Sequence, residues 1–186
     1  MNKIIPFELL KNADLIKGAT YKGGAAPNLS SEPISKLLPV GNQAGIRFSG
    51  TAATPELVVL YTTLKDKDWP DEVIDNKLIY FGDNKSPGKE IHDLPGNQAL
   101  RSIFNNFYLK GEYPLILLFS KGNEGFDRVF QGVLAPGYDG LNEMEDLVAV
   151  WKTRGGIRFQ NYKAVFTILP IEVLNRKNIE SVKHAK

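Results

Sequence analysis

The chain has 186 residues, a length typical of a single domain, and its formal net charge of +2 does not by itself indicate a nucleic-acid-binding protein. The absence of cysteine excludes disulfides and thiolate-based metal or nucleophilic sites, and it fits a reducing, cytoplasmic setting. The sequence shows no signal-peptide pattern, and apolar runs such as LILLF are far too short to span a membrane, so we expect no membrane association.

The first half of the chain predicts short strands separated by turn residues. A loop, APNLSSEP, precedes ISKLLP (34–39), which is predicted to form one helical turn. AGIRFSG (44–50) is predicted to be a strand, and ELVVLYTT (56–63) is expected to be a buried strand because it is rich in β-branched and aromatic residues. A polar excursion, KDKDWPDEVIDN, then leads into a further strand, KLIYF (77–81).

The second half predicts one long helix followed by strands. The helix is expected at NQALRSIFNNFYLKG (97–111), where apolar residues recur at the spacing of one helix face: Leu100, Ile103, Phe104 and Phe107. Four strands are predicted next, the last two joined by a two-residue turn at Gly155-Gly156: YPLILLFS (113–120), DRVFQGVLA (127–135), DLVAVWKT (146–153) and IRFQNYKAVFTIL (157–169).

These elements predict an α+β fold, mostly antiparallel β, built as a curled sheet or half-open barrel with about one long helix. We expect residues 1–170 to form this domain. Residues 171–186 are expected to form a carboxy-terminal helix or a linker towards a nuclease module that the sequence does not contain.

The segment KDWPDEVIDNKLIYFGDN (67–84) combines two large aromatic residues with several aspartates beside a strand. Composition alone favours a structural interpretation, in which Tyr80 belongs to the core and Trp69 covers a loop. The alternative is a pocket for one nucleobase extruded from duplex DNA. Trp69 and Tyr80 would then face each other across a slot one pyrimidine thick, and Asp71 or Asp83 would accept the N4 amino group of cytosine.

Two other hypotheses remain open. A small magnesium-dependent nuclease is one, because Pro70-Asp71 followed by Asp83-Asn84-Lys85 approximates a pattern in which two carboxylates hold the metal and a lysine supports the attacking water. The base-reading hypothesis requires no metal or other cofactor. The third hypothesis is a domain that binds another protein or RNA on the same scaffold.

Four segments, taken in order, resemble the amino-terminal DNA-binding domain of modification-dependent restriction endonucleases of the AspBHI type: LPVGNQAGIRFSG, ELVVLYT with DWPD, YFGDNKSPGKEIHD and EDLVAVWKTRGGIRFQNYKAVFTIL. The resemblance covers approximately residues 12–169. It implies an SRA-like fold (SET and RING associated) that flips 5-methylcytosine out of double-stranded DNA, without catalysis of its own, beside a nuclease domain or subunit. It places one stacking ring at Tyr80, the other at Trp69 or, as second choice, Tyr61, and the base-reading carboxylate at Asp71.

Residues outside this segment are candidates for contact with the rest of the duplex. The turn GNQAGIR carries Asn42, Gln43 and Arg47, which either enter the gap left by the base or belong to an ordinary connection. The hairpin WKTRGGIRFQNYK contains no acidic residue, and its cations are predicted either to contact phosphates or to form a solvated face: Lys152, Arg154, Arg158 and Lys163.

Overall fold

A computed structural model describes residues 3–184 of the chain. The strands are β1 (Ile4–Ile5), β2 (Leu15–Ile16), β3 (Thr20–Tyr21), β4 (Ile46–Gly50), β5 (Pro55–Thr62), β6 (Glu72–Ile74), β7 (Lys77–Phe81), β8 (Leu115–Lys121), β9 (Arg128–Pro136), β10 (Leu147–Arg154), β11 (Ile157–Ile168) and β12 (Val173–Leu174). The helices are α1 (Ile34–Leu37), α2 (Pro95–Lys110), α3 (Glu143–Asp146) and α4 (Arg176–His184), with 3-10 turns at Phe7–Asn12 and Leu29–Ser31.

Most of the strands belong to one curled sheet that does not close on itself. Its main order is β4-β5-β8-β9-β11-β7-β6, with β10 paired to β11, and with β1 and β3 attached through β9. The pairs β5–β8 and β1–β3 are parallel, and the remaining pairs are antiparallel. A separate two-stranded sheet joins β12 to β2.

Strand β5 is buried on both faces and separates two apolar clusters. Leu57 and Val59 face the cluster that contains the amino-terminal segment, whereas Val58 and Leu60 face the cluster that contains α2. Successive side chains of a strand point to opposite faces, so Tyr61 continues on the same side as Leu57 and Val59. This alternation decides which residues can meet at the end of the strand.

Helix α2 covers one face of the sheet with the side chains that its spacing predicted. Leu100, Ile103 and Phe104 are buried in one cluster with β5, β9 and β11 residues. Phe107, the fourth residue of the predicted face, is half-buried against Tyr113. The helix ends at Gly111, whose φ of 69° is left-handed and whose N–H donates to the carbonyl of Phe107.

The carboxy-terminal segment packs on the same core as the rest of the chain. Ile179 of α4 is fully buried, and the Arg176 guanidinium donates to the carbonyls of Ala13 and Leu37. Among the described residues, the segment after residue 170 therefore contains a helix that shares the core of the domain. Residues 185–186 of this predicted segment lie outside them.

The long helix and the eight-residue or longer predicted strands appear close to their expected positions. The elements that the sequence did not predict are short: the two-residue strands β1, β2, β3 and β12, the edge strand β6, and α3. A two-residue strand carries no periodicity that a sequence pattern could reveal. No helix within residues 3–184 has the length and apolar character needed to cross a bilayer.

Candidate nucleic-acid interface

Two adjoining cavities form one cleft at the end of β5 and β7. Their volumes are about 480 and 300 Å³, and both are lined by Ala44, Gly45, Tyr61 and Lys85. We call the two together the cleft. The larger cavity extends over Leu29, Asn42, Gln43, Arg47, Thr62, Thr63, Asp66, Asp71 and Arg128, and the smaller over Ile46, Tyr80, Phe81, Gly82 and Asp83.

Asp71 is the anchored carboxylate of the cleft. One oxygen accepts the backbone N–H of Phe81 at 2.8 Å, and the other accepts the hydroxyl of Thr62 at 2.7 Å. Burial raises the pKa of the Asp71 carboxyl, and these two hydrogen bonds act in the opposite direction. The carboxylate is therefore fixed between the ends of β5 and β7, and it retains acceptor lone pairs for a ligand.

Two half-buried aromatic rings line the cleft near this carboxylate. Tyr61 is the residue before the last of β5 and Phe81 is the last residue of β7, and both lie on the sheet face opposite α2. The Phe81 ring rests on Trp69, with ring centroids 5.4 Å apart. The guanidinium of Arg128 lies 4.6 Å from the centroid of Tyr61, and that of Arg47 lies 5.5 Å away. Each ring therefore has another side chain packed against it.

A buried ion cluster lies beneath the Tyr61 ring. Glu32, which is 1% exposed, contacts Arg47 at 3.0 Å and Arg128 at 3.3 Å. Arg47 also donates to the carbonyls of Gly41 and Ala44. Arg47 therefore supports the turn 41–45 from within the protein, which corresponds to the alternative of an ordinary connection and not to entry into the gap left by a base. A buried charge needs such pairing because an unpaired one would be strongly destabilising.

The predicted slot between Trp69 and Tyr80 is wrong. Both side chains are 3% exposed, and they lie on opposite faces of β7, because Trp69 packs on Phe81 whereas Tyr80 is the preceding residue of the strand. The Trp69 ring contacts Phe159, and its Nε1 donates to the carbonyl of Lys85. Tyr80 packs in the cluster that contains α2, and its hydroxyl donates to the carbonyl of Tyr61 at the cleft.

Asp83 is a helix cap and not a free base-reading group. Its two oxygens accept the N–H groups of Gly96 at 2.7 Å and Asn97 at 2.9 Å, in the first turn of α2. The magnesium-nuclease hypothesis required Asp83 and Asp71 to share a metal, but each carboxylate is held by separate donors. Within residues 3–184 no group of three or more acidic or histidine side chains is placed to hold a metal ion.

The turn 41–45 forms one rim of the cleft. Gln43 is exposed, and Asn42 is half-buried and donates to the carbonyl of Leu29. Ala44 has a φ of 73°, and Gly45 lies so close to the Tyr80 hydroxyl that a Cβ would be 2.9 Å from it. The turn is therefore held in one conformation, with Gln43 free to contact a ligand.

The four cations of the predicted hairpin have different surroundings. Lys152 lies 4.3 Å from the centroid of Trp69 and bonds the carbonyl of Asp68, and Arg154 forms an ion pair with the Asp68 carboxylate. These two hold the loop 66–69 against the hairpin. Arg158 is exposed, and Lys163 lies half-buried opposite Phe81.

Sequence reasoning missed several residues of the cleft. Phe81 was overlooked in favour of its neighbour Tyr80, although the alternation of the strand could have identified it. Tyr61 was only the second choice for a stacking ring. Thr62, Glu32 and Arg128 carry no local signal, because their roles depend on contacts between distant parts of the chain.

An anchored carboxylate beside two aromatic rings supplies the hydrogen bonding and the stacking with which proteins hold a single extruded nucleobase. Comparison with known families agrees with a site of this class. Residues 15–186 match the family described as "Restriction endonuclease AspBHI N-terminal", and the chain belongs to that family.

Solved structures of this kind are closely similar to the chain. The "DNA recognition domain of the cytosine modification-dependent restriction endonuclease LpnPI" matches with 43% identity and a TM-score of 0.92, covering 100% of this chain and 87% of that one. The "DNA modification-dependent restriction endonuclease AspBHI" matches with 39% identity and a TM-score of 0.91, covering 99% of this chain and 49% of that one. The chain therefore spans about half of the AspBHI chain.

A more distant match shows the fold alone. MspJI restriction endonuclease, solved in complex with a 27-mer oligonucleotide, has 17% identity and a TM-score of 0.58, covering 86% of this chain and 43% of that one. No significant match was found among curated proteins. The predicted fold class and family are confirmed, and so is the predicted class of protein, a recognition domain of modification-dependent restriction endonucleases.

Proposed function

We propose that this domain recognises 5-methylcytosine, or a similarly modified cytosine, in double-stranded DNA by taking the base out of the helix and holding it in the cleft. The observation that carries the proposal is the Asp71 carboxylate, fixed by Phe81 N–H and Thr62 hydroxyl beside the rings of Tyr61 and Phe81. Membership of the AspBHI amino-terminal family and the likeness to the LpnPI recognition domain support it.

The chemistry of the cleft favours cytosine over thymine. The exposed edge of an extruded cytosine presents an N4 amino donor, whereas thymine presents a carbonyl oxygen at the same position. An anchored carboxylate accepts a hydrogen bond from the amino group and repels the carbonyl. Extrusion costs a few kcal/mol of stacking and pairing. Stacking on aromatic rings such as Tyr61 and Phe81 offsets this cost by about 1–3 kcal/mol per ring.

The rest of the interface holds the duplex around the extruded base. In this proposal Gln43, with Asn42 behind it, enters the gap that the base leaves. Arg154 and Lys163 of the hairpin, whose side chains stay partly exposed, contact phosphates, which fixes the register without reading sequence. The domain performs no catalysis and needs no cofactor, and a nuclease domain or subunit, acting with it in the cytoplasm, supplies DNA cleavage.

A titration with three duplexes tests the proposal. Duplexes of one sequence carrying methylated, hydroxymethylated or plain cytosine are compared at one salt concentration with EDTA present, because phosphate contacts alone give salt-dependent, non-specific binding. We expect tighter binding of the modified duplexes. A fluorescent base analogue at the target position should brighten on binding, because unstacking removes its quenching. Equal affinity for all three duplexes, with no change in fluorescence, would refute the proposal.

A further inference from the structure

The hairpin of β10 and β11 projects from the sheet as a two-stranded ribbon. Its strands pair from Leu147 with Ala164 to Arg154 with Ile157, but β7 joins β11 only from Lys163 onwards. Within residues 3–184, no third strand pairs with residues 149–154 and 157–162 of the ribbon, although Gly82 and Asn84 donate to the carbonyls of Tyr162 and Gln160 at its base. A ribbon of this kind has the dimensions that the major groove of B-DNA admits.

The two faces of the ribbon have different tasks. Residues opposite each other in the register share a face, so Lys152 and Phe159 lie on the same side, which packs on Trp69 and the loop 66–69. Trp69 in turn donates to the carbonyl of Lys85, which lines both cavities of the cleft. The inner face therefore fixes the ribbon at a defined position beside the cleft.

The outer face presents an unusual pair of exposed side chains. Trp151 is 56% exposed, and the guanidinium of Arg158 lies 4.4 Å from its ring centroid. In the described part of the chain, no acidic side chain forms an ion pair with Arg158. Stacking on an indole holds a guanidinium plane in one orientation without using its N–H donors. Tryptophan and arginine are also the residues most enriched at the energetic centres of interfaces.

We propose that the outer face of the ribbon enters the major groove of the duplex beside the modified base, where Arg158, oriented by Trp151, reads a guanine. The donors of a guanidinium match the O6 and N7 acceptors of guanine in a bidentate fashion. The positive charge of the ribbon and its fixed position beside the cleft favour DNA as the occupant of this face. The inference rests on the proposed function and adds a flanking-sequence preference to it.

Guanine substitution along the flanks tests this assignment. Each flanking guanine of a methylated duplex is replaced in turn by 7-deazaguanine, which lacks the N7 acceptor, and the affinity of the wild-type domain is measured. We expect one position at which the substitution weakens binding, and we expect Arg158→Ala to weaken binding of the unsubstituted duplex by about 5- to 150-fold. In the Arg158→Ala variant the deaza substitution should have no further effect.

Matched variants separate base reading from other roles. Arg158→Lys should not restore the affinity, because an ammonium cannot form the bidentate pair. Trp151→Ala should weaken binding in the same direction, with partial recovery in Trp151→Phe. Met144 is an exposed apolar residue of α3, just before β10, and Met144→Ala should bind as wild type. The base-analogue fluorescence at saturating DNA should persist in every variant, because the cleft is unchanged.

Three results would overturn the inference. These are wild-type affinity of both Arg158→Ala and Trp151→Ala, full affinity of Arg158→Lys, or the absence of any guanine position sensitive to N7. The proposed function fails in a different way, through equal affinity of the wild-type domain for modified and plain duplexes and no fluorescence change.

Discussion

Replacing Asp71 by Asn changes the charge of the cleft with little change in shape. The Asn oxygen can accept the N–H of Phe81, and its amide can donate to the Thr62 hydroxyl, so both anchoring contacts have counterparts. What is lost is the charged acceptor for the amino group of the base. Hydrogen bonds to charged groups stabilise by about 1.5–3 kcal/mol and neutral ones by about 0.5–1.5 kcal/mol. We therefore expect a loss of about 1–2 kcal/mol, or about 5- to 30-fold, in affinity for methylated duplex.

The same substitution should weaken DNA binding without lowering the stability of the fold at neutral pH. Because burial raises the pKa of Asp71, its stabilising contribution is complete below the unfolded pKa near 3.9 and is lost as the pH rises through the higher native pKa. Asn does not titrate. We expect Asp71→Asn to be at least as stable as wild type at pH 7.5. The difference in the free energy of unfolding, variant minus wild type, should be smaller at pH 4, and urea unfolding at both pH values measures it.

The control for this variant is Asp75→Asn, an exposed residue of the β6–β7 turn with a left-handed φ of 53° that Asn tolerates. It should bind and unfold as wild type. The reasoning is refuted if Asp71→Asn loses the same factor of affinity for plain and methylated duplexes. A marked loss of stability at pH 7.5 would also contradict it, since binding would then be lost through misfolding.

Three further substitutions test the remaining assignments. Tyr61→Leu keeps an apolar contact with the core but removes a stacking ring. The binding free energy for methylated duplex should therefore weaken by about 1–3 kcal/mol, with a smaller change in the free energy of unfolding. An unchanged titration would contradict this. Asp83→Ala removes the cap of α2, and we expect the free energy of unfolding to fall by about 1–2 kcal/mol. The preference for methylated over plain duplex should persist. Loss of this preference at full stability would favour direct contact of Asp83 with the base. Trp69→Phe removes the hydrogen bond to the Lys85 carbonyl and should lower the free energy of unfolding by about 1 kcal/mol. Selective loss of binding to the modified duplex, without destabilisation, would instead indicate that Trp69 contacts the base.

The sequence predicted the scaffold because its long elements carry strong periodic signals. The spacing from Leu100 to Phe107 belongs to a helix that contacts the sheet with that face, and the Gly155-Gly156 turn lies where the hairpin reverses. The alternation of a strand is also sufficient to identify Phe81, one wall residue of the cleft. In KLIYF the buried residues are Leu78 and Tyr80, so alternation assigns Phe81 to the other face.

The remaining errors arise from contacts between segments far apart in the chain. Asp83 resembles a free carboxylate in a turn, and only the position of α2, thirteen residues later, shows that it is a cap. Glu32 lies in a loop with no motif, yet it is the buried partner of Arg47 and Arg128. Such roles are defined by the fold and cannot be read from local composition.

In the proposed complex, attraction to phosphates and selection of the modified base lie on different surfaces of this domain. In the cleft the cations are already paired, Lys85 with Asp66 at 2.9 Å and both buried arginines with Glu32, so the Asp71 carboxylate works in surroundings that offer little net attraction to phosphates. The ribbon, by contrast, has no acidic residue of its own. Phosphate attraction is long-ranged and weakened by salt, whereas a hydrogen bond inside a desolvated cleft is neither. A carboxylate that would repel DNA on the ribbon can therefore select a base in the cleft, because the neighbouring surface supplies the binding energy that brings the base there.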